Sequence, residues 1–538
     1  MSNLPRRTCS KSALLQIVVV LLAITIFSSA AFAAEISVSP TAENFGVVDL
    51  GTSSSKTVTI TNNTDLRLKV SNVAVWGNGF SIKGLTLPLV LSAEEVSTFE
   101  IVYDPQTPTS SSGGFIVISD AGSPIRGTLT GTGWKAVTGT VPSTYMGLVL
   151  HPEVLDARVP WPTIPFGAMR LWAGETQWAV LNPAQNTYDW TQLDSWFAIA
   201  AANGKTDLIY TFGVVPQWAS SNPNDRTCVS AQSTAGSCDA PYDVNPDGSG
   251  ADELWKEYVT ALVAHAAGRI KYWELWNEPD CAYEWNGTMA QMVRMAKDAY
   301  TIIKAADPTA LVTTPSSVNA GAGRSIDIWL PEYVAAGGGA YADIVAFHGY
   351  INPALGQQPE AITNTVDRVT SSVAGSVLAT KPIWDTEGGW TQNSNLPNPD
   401  LQASFVARVY LLQWFKGVSR FYWFQYGNTD TGTLWTSAGM NEAGIAYGQV
   451  YNWVTNATLS GPCSATGTVW TCSYTKPGGV VQQAVWDTSK TCSGGHCTTS
   501  SYTPATIYSK YVDLTGEVTN FTPGTAIQIG IKPILLEN

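Results

Sequence analysis

Three textures of apolar and polar positions follow one another along the chain. From residue 35 to about 135, short segments alternate or run β-branched, as in Thr57-Val58-Thr59-Ile60-Thr61, Phe99-Glu100-Ile101-Val102-Tyr103 and Gly114-Phe115-Ile116-Val117-Ile118. Clusters of Asn, Gly, Pro and Ser separate them, the punctuation expected between strands. Seven or so such strands in about 100 residues predict an immunoglobulin-like β-sandwich. From about 140 to 455 the texture changes to short apolar runs alternating with helical patterns. Eight runs stand out, at 145–150, 167–171, 207–212, 270–276, 311–314, 343–347, 382–385 and 420–424. Helical patterns at 190–202, 251–267, 288–306 and 401–415 lie between them. Alternating strands and helices imply a parallel sheet. Eight such units predict a (β/α)8 TIM barrel, whose site gathers at the carboxyl ends of the strands. From 456 to 538 β patterning returns, ending on Ile527-Gln528-Ile529-Gly530-Ile531, and predicts a small C-terminal β-sandwich. One of its strands is expected from the region around Thr138 to Val141.

The first 33 residues stand apart. Arg6, Arg7 and Lys11 precede an apolar run from Ala13 to Phe27, and Ala31-Phe32-Ala33 fits an A-x-A cleavage site. The segment reads as a signal peptide, so the mature chain is expected outside the cytoplasm, as a secreted, periplasmic or cell-surface protein. Its removal takes three cations and no acids, moving the net charge from −13 to −16. That acidity argues against nucleic acid or anionic membranes as partners. No other window reaches the roughly 18 apolar residues of a membrane span.

Of the eight cysteines, Cys9 leaves with the signal. Three close pairs, Cys228/Cys238, Cys463/Cys472 and Cys492/Cys497, suit disulfides in an exported protein, and Cys281 is left over. The four His are scattered without zinc-ligand spacing, and no phosphate-loop or dinucleotide fingerprint is present. No metal and no cofactor are therefore expected. The 21 Trp are expected mostly in cores, with a minority on loops where a sugar ring can stack. The stretch 220–250 reads as a disulfide-tied loop over the site.

Chemistry concentrates at two glutamates. Lys271-Tyr272-Trp273-Glu274-Leu275-Trp276-Asn277-Glu278-Pro279 reads as the fourth barrel strand, ending on Glu278, with Pro279 favouring extended geometry there. Lys381-Pro382-Ile383-Trp384-Asp385-Thr386-Glu387-Gly388-Gly389-Trp390 reads as the seventh, with two glycines turning the chain away after Glu387. Asp385 is expected on the same side as Glu387 but deeper, and Glu274 as an interior carboxylate. Two carboxylates facing across a barrel mouth are what glycosidic cleavage needs: one protonates the leaving oxygen, the other attacks or activates water. A glutamate ending a strand is, taken singly, a solvated loop residue; the pair in barrel register is what points to catalysis.

Trp-Asn-Glu-Pro with a glutamate ending strand seven resembles the large clan of retaining (β/α)8 glycoside hydrolases. Met169-Arg170-Leu171-Trp172, Tyr188-Asp189-Trp190-Thr191-Gln192-Leu193-Asp194 and Pro216-Gln217-Trp218-Ala219 resemble glycoside hydrolase family 39 and its relatives. The resemblance covers most of 145–455. It implies a retaining β-glycosidase acting on a polysaccharide or oligosaccharide, with Glu278 as acid/base and Glu387 as nucleophile. It further implies Asn277 on the sugar 2-hydroxyl, Arg170 keeping Glu387 charged, His348 or Tyr350 orienting Glu387, and Trp423 as a sugar platform. Trp172, Trp218, Trp285 and Trp390 follow strand ends and are candidate subsite walls. The N-terminal sandwich, through Asn44-Phe45-Gly46-Val47-Val48 and the strands after it, resembles domains of cilia-associated and bacterial surface proteins, and on that resemblance its contacts would be a surface or another protein. A non-catalytic carbohydrate-binding or adhesion protein with a vestigial barrel remains the alternative, to be separated by activity on glycosides. An inverting hydrolase on the same barrel is separated by the anomer of the first product.

Overall fold

The computed structural model describes residues 35–172, 174–228, 234–318, 325–427 and 430–538. Residues 1–33, expected from the sequence to be a signal peptide, lie outside them.

Residues Ile36–Ser39 to Ile125–Trp134 form two facing sheets, one of four strands and one of five. Within Ser54–Asn62 every second residue from Val58 is buried, and Val58 and Ile60 join Phe99, Ile101, Phe115 and Leu129 in one core. This is the expected immunoglobulin-like sandwich.

The central region is a parallel sheet curled on itself. Its strands are β1 (Met146–Val149), β2 (Ala168–Leu171), β3 (Leu208–Thr211), β4 (Tyr272–Glu274), β5 (Leu311–Thr313), β6 (Val345–Ile351), β7 (Ile383–Trp390) and β8 (Val418–Trp423). β1 pairs with both β2 and β8, and Thr313 bridges Ile344 to close the ring between β5 and β6. β5 breaks after Thr313 and resumes at Ser317–Val318, which pairs with β6. Helices Thr191–Ala202, Glu253–Ala266, Met289–Ala306, Ile326–Ala335, Ala361–Val373, Pro399–Phe415 and Glu442–Val454 accompany the strands. The helix at Met289–Ala306 starts on a capping box between Thr288 and Gln291, which satisfies two otherwise orphan amides. Small strands dominate the ring, and its floor is filled by Val149, Ala168, Ile209, Trp384 and Tyr422. Above that floor the interior turns polar.

The C-terminal sheet runs from Thr458–Leu459 to Ile534–Glu537, and the hairpin of Ser500–Tyr502 with Ile527–Ile529 packs over it. It is fastened to the barrel by Trp486 Nε1 donating to Glu360 (2.8 Å) and Ser404 Oγ donating to the Ile531 carbonyl (2.7 Å). The segment around Thr138 to Val141 is not one of its strands. Val141 only exchanges two backbone hydrogen bonds with Asn456 and Ala457. The N-terminal sandwich touches the barrel where helix Pro399–Phe415 turns into β8: Trp134 Nε1 donates to the Phe415 carbonyl at 2.9 Å. That is the amino-terminal end of the strands, remote from the mouth. All three expected disulfides are formed, and Cys281 is buried and unbridged. Among the described residues, no helix is long and apolar enough to cross a membrane.

Candidate active site

β4 and β7 deliver their glutamates differently. β4 stops at Glu274, yet the chain beyond stays tied to the broken β5: Asn277 bridges Ser316, and the Glu278 N–H donates to the Ser316 carbonyl at 2.9 Å. At Glu278 the backbone is left-handed, φ +41°, not the extended geometry that Pro279 predicts. A tight turn takes precedence: Cys281 N–H donates back to the Glu278 carbonyl at 2.9 Å, and Asp280 accepts from Val318 N–H at 3.0 and 3.2 Å. A non-glycine residue held there costs about 1–3 kcal/mol, sustained by the surroundings.

β7, by contrast, runs unbroken through Glu387 to Trp390, pairing with β6. Gly388 and Gly389 do not turn the chain away. Their neighbours explain the glycines: a Cβ on Gly388 would approach Asp385 Oδ2 to 2.9 Å, and one on Gly349 would approach it to 2.2 Å. Asp385 itself departs from its expected side. The pairing register shifts between Phe347 and His348 and between Asp385 and Gly388, which breaks the simple alternation. Asp385 faces the helix layer, accepting from Gln413 Nε2 at 2.6 Å, while Thr386 and Glu387 both face the barrel interior. Burial pushes the Asp385 carboxyl well above its ordinary value.

Arg170, on β2, organises what lies between them. It is fully buried and spends its guanidinium on four groups: Glu274 Oε2 at 2.7 Å, Glu387 Oε2 at 2.5 Å, Asn277 Oδ1 at 2.9 Å and His348 Nε2 at 3.3 Å. Glu274 also accepts from Thr211 (2.5 Å) and Thr386. Burial alone would raise the Glu274 carboxyl, but Arg170 foremost, with His348 and the two hydroxyls, holds it below its ordinary value. Glu274 is thus interior, as expected, and is the permanent counter-ion of Arg170. Tyr350 Oη donates to Glu387 Oε1 at 2.7 Å, so each oxygen of Glu387 has a donor.

His348 serves the other glutamate. Its Nδ1 is 2.8 Å from Glu278 Oε1 and 4.0 Å from Glu387 Oε1. Of the two residues expected to orient Glu387, only Tyr350 does so by direct hydrogen bond. Burial pushes the imidazole down to about 4, so it is neutral near pH 7. A guanidinium only donates, so Nε2 facing Arg170 must accept; the ring proton is then on Nδ1 and is donated to Glu278 Oε1. Burial pushes the Glu278 carboxyl up to about 7, against the opposing effects of Arg170 and Tyr283. With Oε1 already accepting, the proton of neutral Glu278 belongs on Oε2, 3.5 Å from Tyr283 Oη.

An oxygen of Glu278, a nitrogen of His348 and an oxygen of Glu387 all lie within 4.8 Å of one another. A small cation would tolerate that spacing, but the Nδ1 proton and the Arg170 guanidinium already occupy these partners, so the set is arranged for proton exchange. The cleft above it, about 230 Å³, is lined by Glu278, Tyr283, Val318, Tyr350, Glu387, Thr391 and Thr431.

The structure brings Glu278, Glu387, Asn277, Arg170, His348 and Tyr350 together, and does not bring the predicted tryptophans to the cleft. Trp423 is 0 % exposed, its indole N–H donated to the Gly432 carbonyl and its ring 5.3 Å from that of Trp390, also 0 % exposed. Trp172 is buried against Gly213, and Trp285 is buried edge-on to Trp276. Trp218 is half-buried, held by its N–H to Asn182 O at 2.9 Å, and keeps some open ring surface outside the cleft lining. The aromatics that line the cleft are Tyr283 and Tyr350, with the Phe424 ring 6.2 Å from that of Tyr350. In the stretch 220–250 the Cys238 carbonyl accepts from Asn286 N–H at 2.7 Å, and residues 229–233 lie outside the described residues. Sequence reasoning also missed Tyr283 and Glu284. Burial, with Glu278 and Glu387 nearby, pushes the Glu284 carboxyl well above its ordinary value. Their position five and six residues after Glu278 was the available signal.

Residues 238–451 match the family model described as the glycosyl hydrolase catalytic core, and residues 34–132 match that of the HYDIN/CFA65/VesB-like Ig-like domain. Among solved structures, the chain is similar to a family 39 glycoside hydrolase from the gut symbiont Bacteroides cellulosilyticus WH2, at 17% identity over 92% of this chain and 98% of that one, with a TM-score of 0.55. It is also similar to a glucosidase from Croceicoccus marinus, at 13% identity over 74% of this chain and 96% of that one, with a TM-score of 0.51. At these identities the likeness is one of fold. No curated protein sequence matches the chain. The catalytic-core match supports a glycoside hydrolase with a carbohydrate substrate.

Proposed function

We propose that the chain is an exported retaining β-glycosidase acting on a polysaccharide or oligosaccharide, with Glu278 as acid/base and Glu387 as nucleophile. The observation that carries this reading is the approach of the two carboxyl groups, an oxygen of each within 4.8 Å, in opposite electrostatic surroundings. Retaining enzymes hold the pair about 5–5.5 Å apart, whereas inverting enzymes leave about 6.5–9.5 Å for a water between them. The close approach therefore favours double displacement. The N-terminal export pattern and the three disulfides support export.

The roles follow from the partners. Glu387, bonded by Arg170 and Tyr350, is poised as the ionised group that attacks the anomeric carbon. Glu278, desolvated and raised to about 7, gives its Oε2 proton to the departing glycosidic oxygen. When the glycosyl ester forms, the charge on Glu387 disappears, Glu278 has less reason to hold a proton, and it takes one from the incoming water. His348 donates to Glu278 Oε1 throughout and steadies the carboxylate between the two steps. Asn277, its Oδ1 fixed by Arg170 and its amide hydrogen-bonded to Glu284, is the residue assigned to the sugar 2-hydroxyl, a contact that strengthens in the transition state.

The experiment is a panel of aryl β-glycosides and plant or microbial polysaccharides, with the first-formed anomer followed by NMR on the active substrate. Retention of configuration is expected. Inversion, or no activity on any β-linked substrate, overturns the reading.

A further inference from the structure

Beside the cleft, a second pocket opens where the loops after β6 and β7 meet the C-terminal domain. Its volume is about 240 Å³, against about 230 Å³ for the cleft itself. Two hydrogen bonds link the pair. Thr391, which lines the cleft, donates from Oγ1 to Asn352 Oδ1 at 3.3 Å, and Asn352 N–H donates to Gln357 Oε1 at 2.9 Å. Gln357 in turn lines the second pocket. The apolar wall there comes from Leu396, from Leu401 and Phe405 on helix Pro399–Phe415, and from Ile531 of the C-terminal domain. Gln357, Gln358 and Lys490 supply polar groups opposite chemistry of that kind.

Each of these polar side chains keeps a donor to spare. Gln357 and Gln358 both spend their carbonyl oxygens, the latter accepting from Arg408 Nη2 at 2.7 Å, which leaves two NH2 groups for a ligand. Lys490 Nζ stands 3.6 Å from Asp487 Oδ2, too far for a hydrogen bond, and that oxygen already accepts from Ser500 Oγ at 2.6 Å. The walls are held from behind. Arg408 is 2 % exposed and bonded to Glu360 and Ser404, so it serves as scaffold and not as a ligand donor. Asn398 Nδ2 donates to the Cys492 carbonyl at 3.4 Å, and Lys532 pairs with Asp400 at 2.5 Å, both joining the barrel to the C-terminal domain. The pocket is therefore formed before any ligand arrives, as small-molecule sites usually are.

We infer that this pocket is a further subsite, holding a second sugar residue of the glycan that lies across the cleft. The inference rests on the glycosidase reading and adds to it a preference for extended chains. A sugar ring has an apolar C–H face and an edge of hydroxyl oxygens. The Leu396, Leu401, Phe405 and Ile531 wall suits the face, and the donors of Gln357, Gln358 and Lys490 suit the edge. A wholly apolar ligand would bury those donors without acceptors, at a cost in free energy. The hydrogen-bonded link from Thr391 to Gln357 places the pocket next to the cleft, on the side of β6 and β7, where one chain can engage both. Binding energy gained on this remote sugar is then available to hold the reacting sugar against Glu387, so longer chains gain in kcat/KM. The C-terminal domain, through Lys490 and Ile531, thereby takes part in substrate selection.

The test measures kcat/KM of the full mature chain on β-linked xylo-, cello-, manno- and galacto-oligosaccharides from dimer to hexamer, with the matching aryl β-monoglycosides. Two variants accompany it: Leu401→Trp, which fills the pocket, and Lys490→Ala, which removes a donor. On the series that is cleaved, kcat/KM should rise with chain length in the native protein. Each variant should lose about tenfold on the hexamer, the effect of one hydrogen bond to a charged group, and keep its rate on the aryl monoglycoside. A rate independent of chain length, or a hexamer advantage that survives both variants, overturns the inference. Should Leu401→Trp fail to fold, Lys490→Ala decides alone. Calorimetry on Glu387→Gln separates this inference from the reading beneath it. There the hexamer should bind, and adding Lys490→Ala should weaken it about tenfold. That binding without native turnover on any substrate would defeat the glycosidase reading and leave the pocket standing, whereas turnover with hexamer affinity unmoved by Lys490→Ala would defeat the pocket alone.

Discussion

The ends of β4 and β7 carry the same side chain toward the same cleft and treat it in opposite ways. At β7, Glu387 sits in a continuous strand and has a donor on each oxygen, one a guanidinium. At β4, Glu278 sits past a broken strand in a left-handed turn, with a neutral histidine on one oxygen and little to offset its desolvation. Placement alone therefore does not assign roles to a carboxylate pair. The donors do, and here they come from a third strand, β2, through Arg170. Arg170 hydrogen-bonds Glu387 directly but Glu278 only by way of His348, and its charge is not enough to offset the desolvation of Glu278.

The largest expected effect comes from removing either carboxylate. Glu387→Gln and Glu278→Gln should each lower kcat by about 10⁴-fold or more, with an unchanged fold by circular dichroism. On an aryl glycoside whose leaving group needs no proton, Glu278→Gln should retain its first step and Glu387→Gln should not; equal losses there would erase the distinction between the two ends. Next, Arg170→Ala leaves Glu274 and Glu387 buried without their cation and should cost about 3–5 kcal/mol of stability by chemical denaturation, along with turnover. Lysine in its place cannot span four partners and should restore stability only in part. A smaller loss is expected from Tyr350→Phe, which removes one hydrogen bond to a charged group, about 1.5–3 kcal/mol, or roughly 10- to 100-fold in kcat/KM.

The pH dependence sharpens the comparison further. Glu278 must be protonated to act as acid, so kcat/KM should fall as pH rises through about 7. Replacing His348 with Phe deletes a donor to the charged form and should move that limb upward. Stability carries the same sign. The folded chain keeps a Glu278 proton that the unfolded chain releases, so this contribution is complete below pH 4.5 and is lost by pH 7. Glu278→Gln should flatten that part of the Tm–pH curve. The smallest effect on function is expected from Trp423→Phe, whose ring is buried: KM should hold while Tm drops, and a large rise in KM would return Trp423 to the sugar site.

The barrel and its glutamates were legible because periodicity marks strands and short motifs mark their ends. Glu274 was legible as interior because it lies an even number of positions before Glu278. Three features were not. The turn at Glu278 depends on Ser316 and Val318, distant in sequence, overriding a local proline preference. The side of β7 on which Asp385 falls depends on register shifts that no single-strand pattern contains. The tryptophans were misplaced because a ring that follows a strand end looks the same in sequence whether the next loop opens or folds over it.

The division of labour between the two strand ends is tested most directly by trapping. The mature chain is inactivated with a 2-fluoro aryl glycoside of whichever sugar it cleaves, digested, and sequenced by mass spectrometry. The account predicts a glycosyl adduct on Glu387 alone, formed also in Glu278→Gln when the leaving group is activated. An adduct on Glu278 would contradict it.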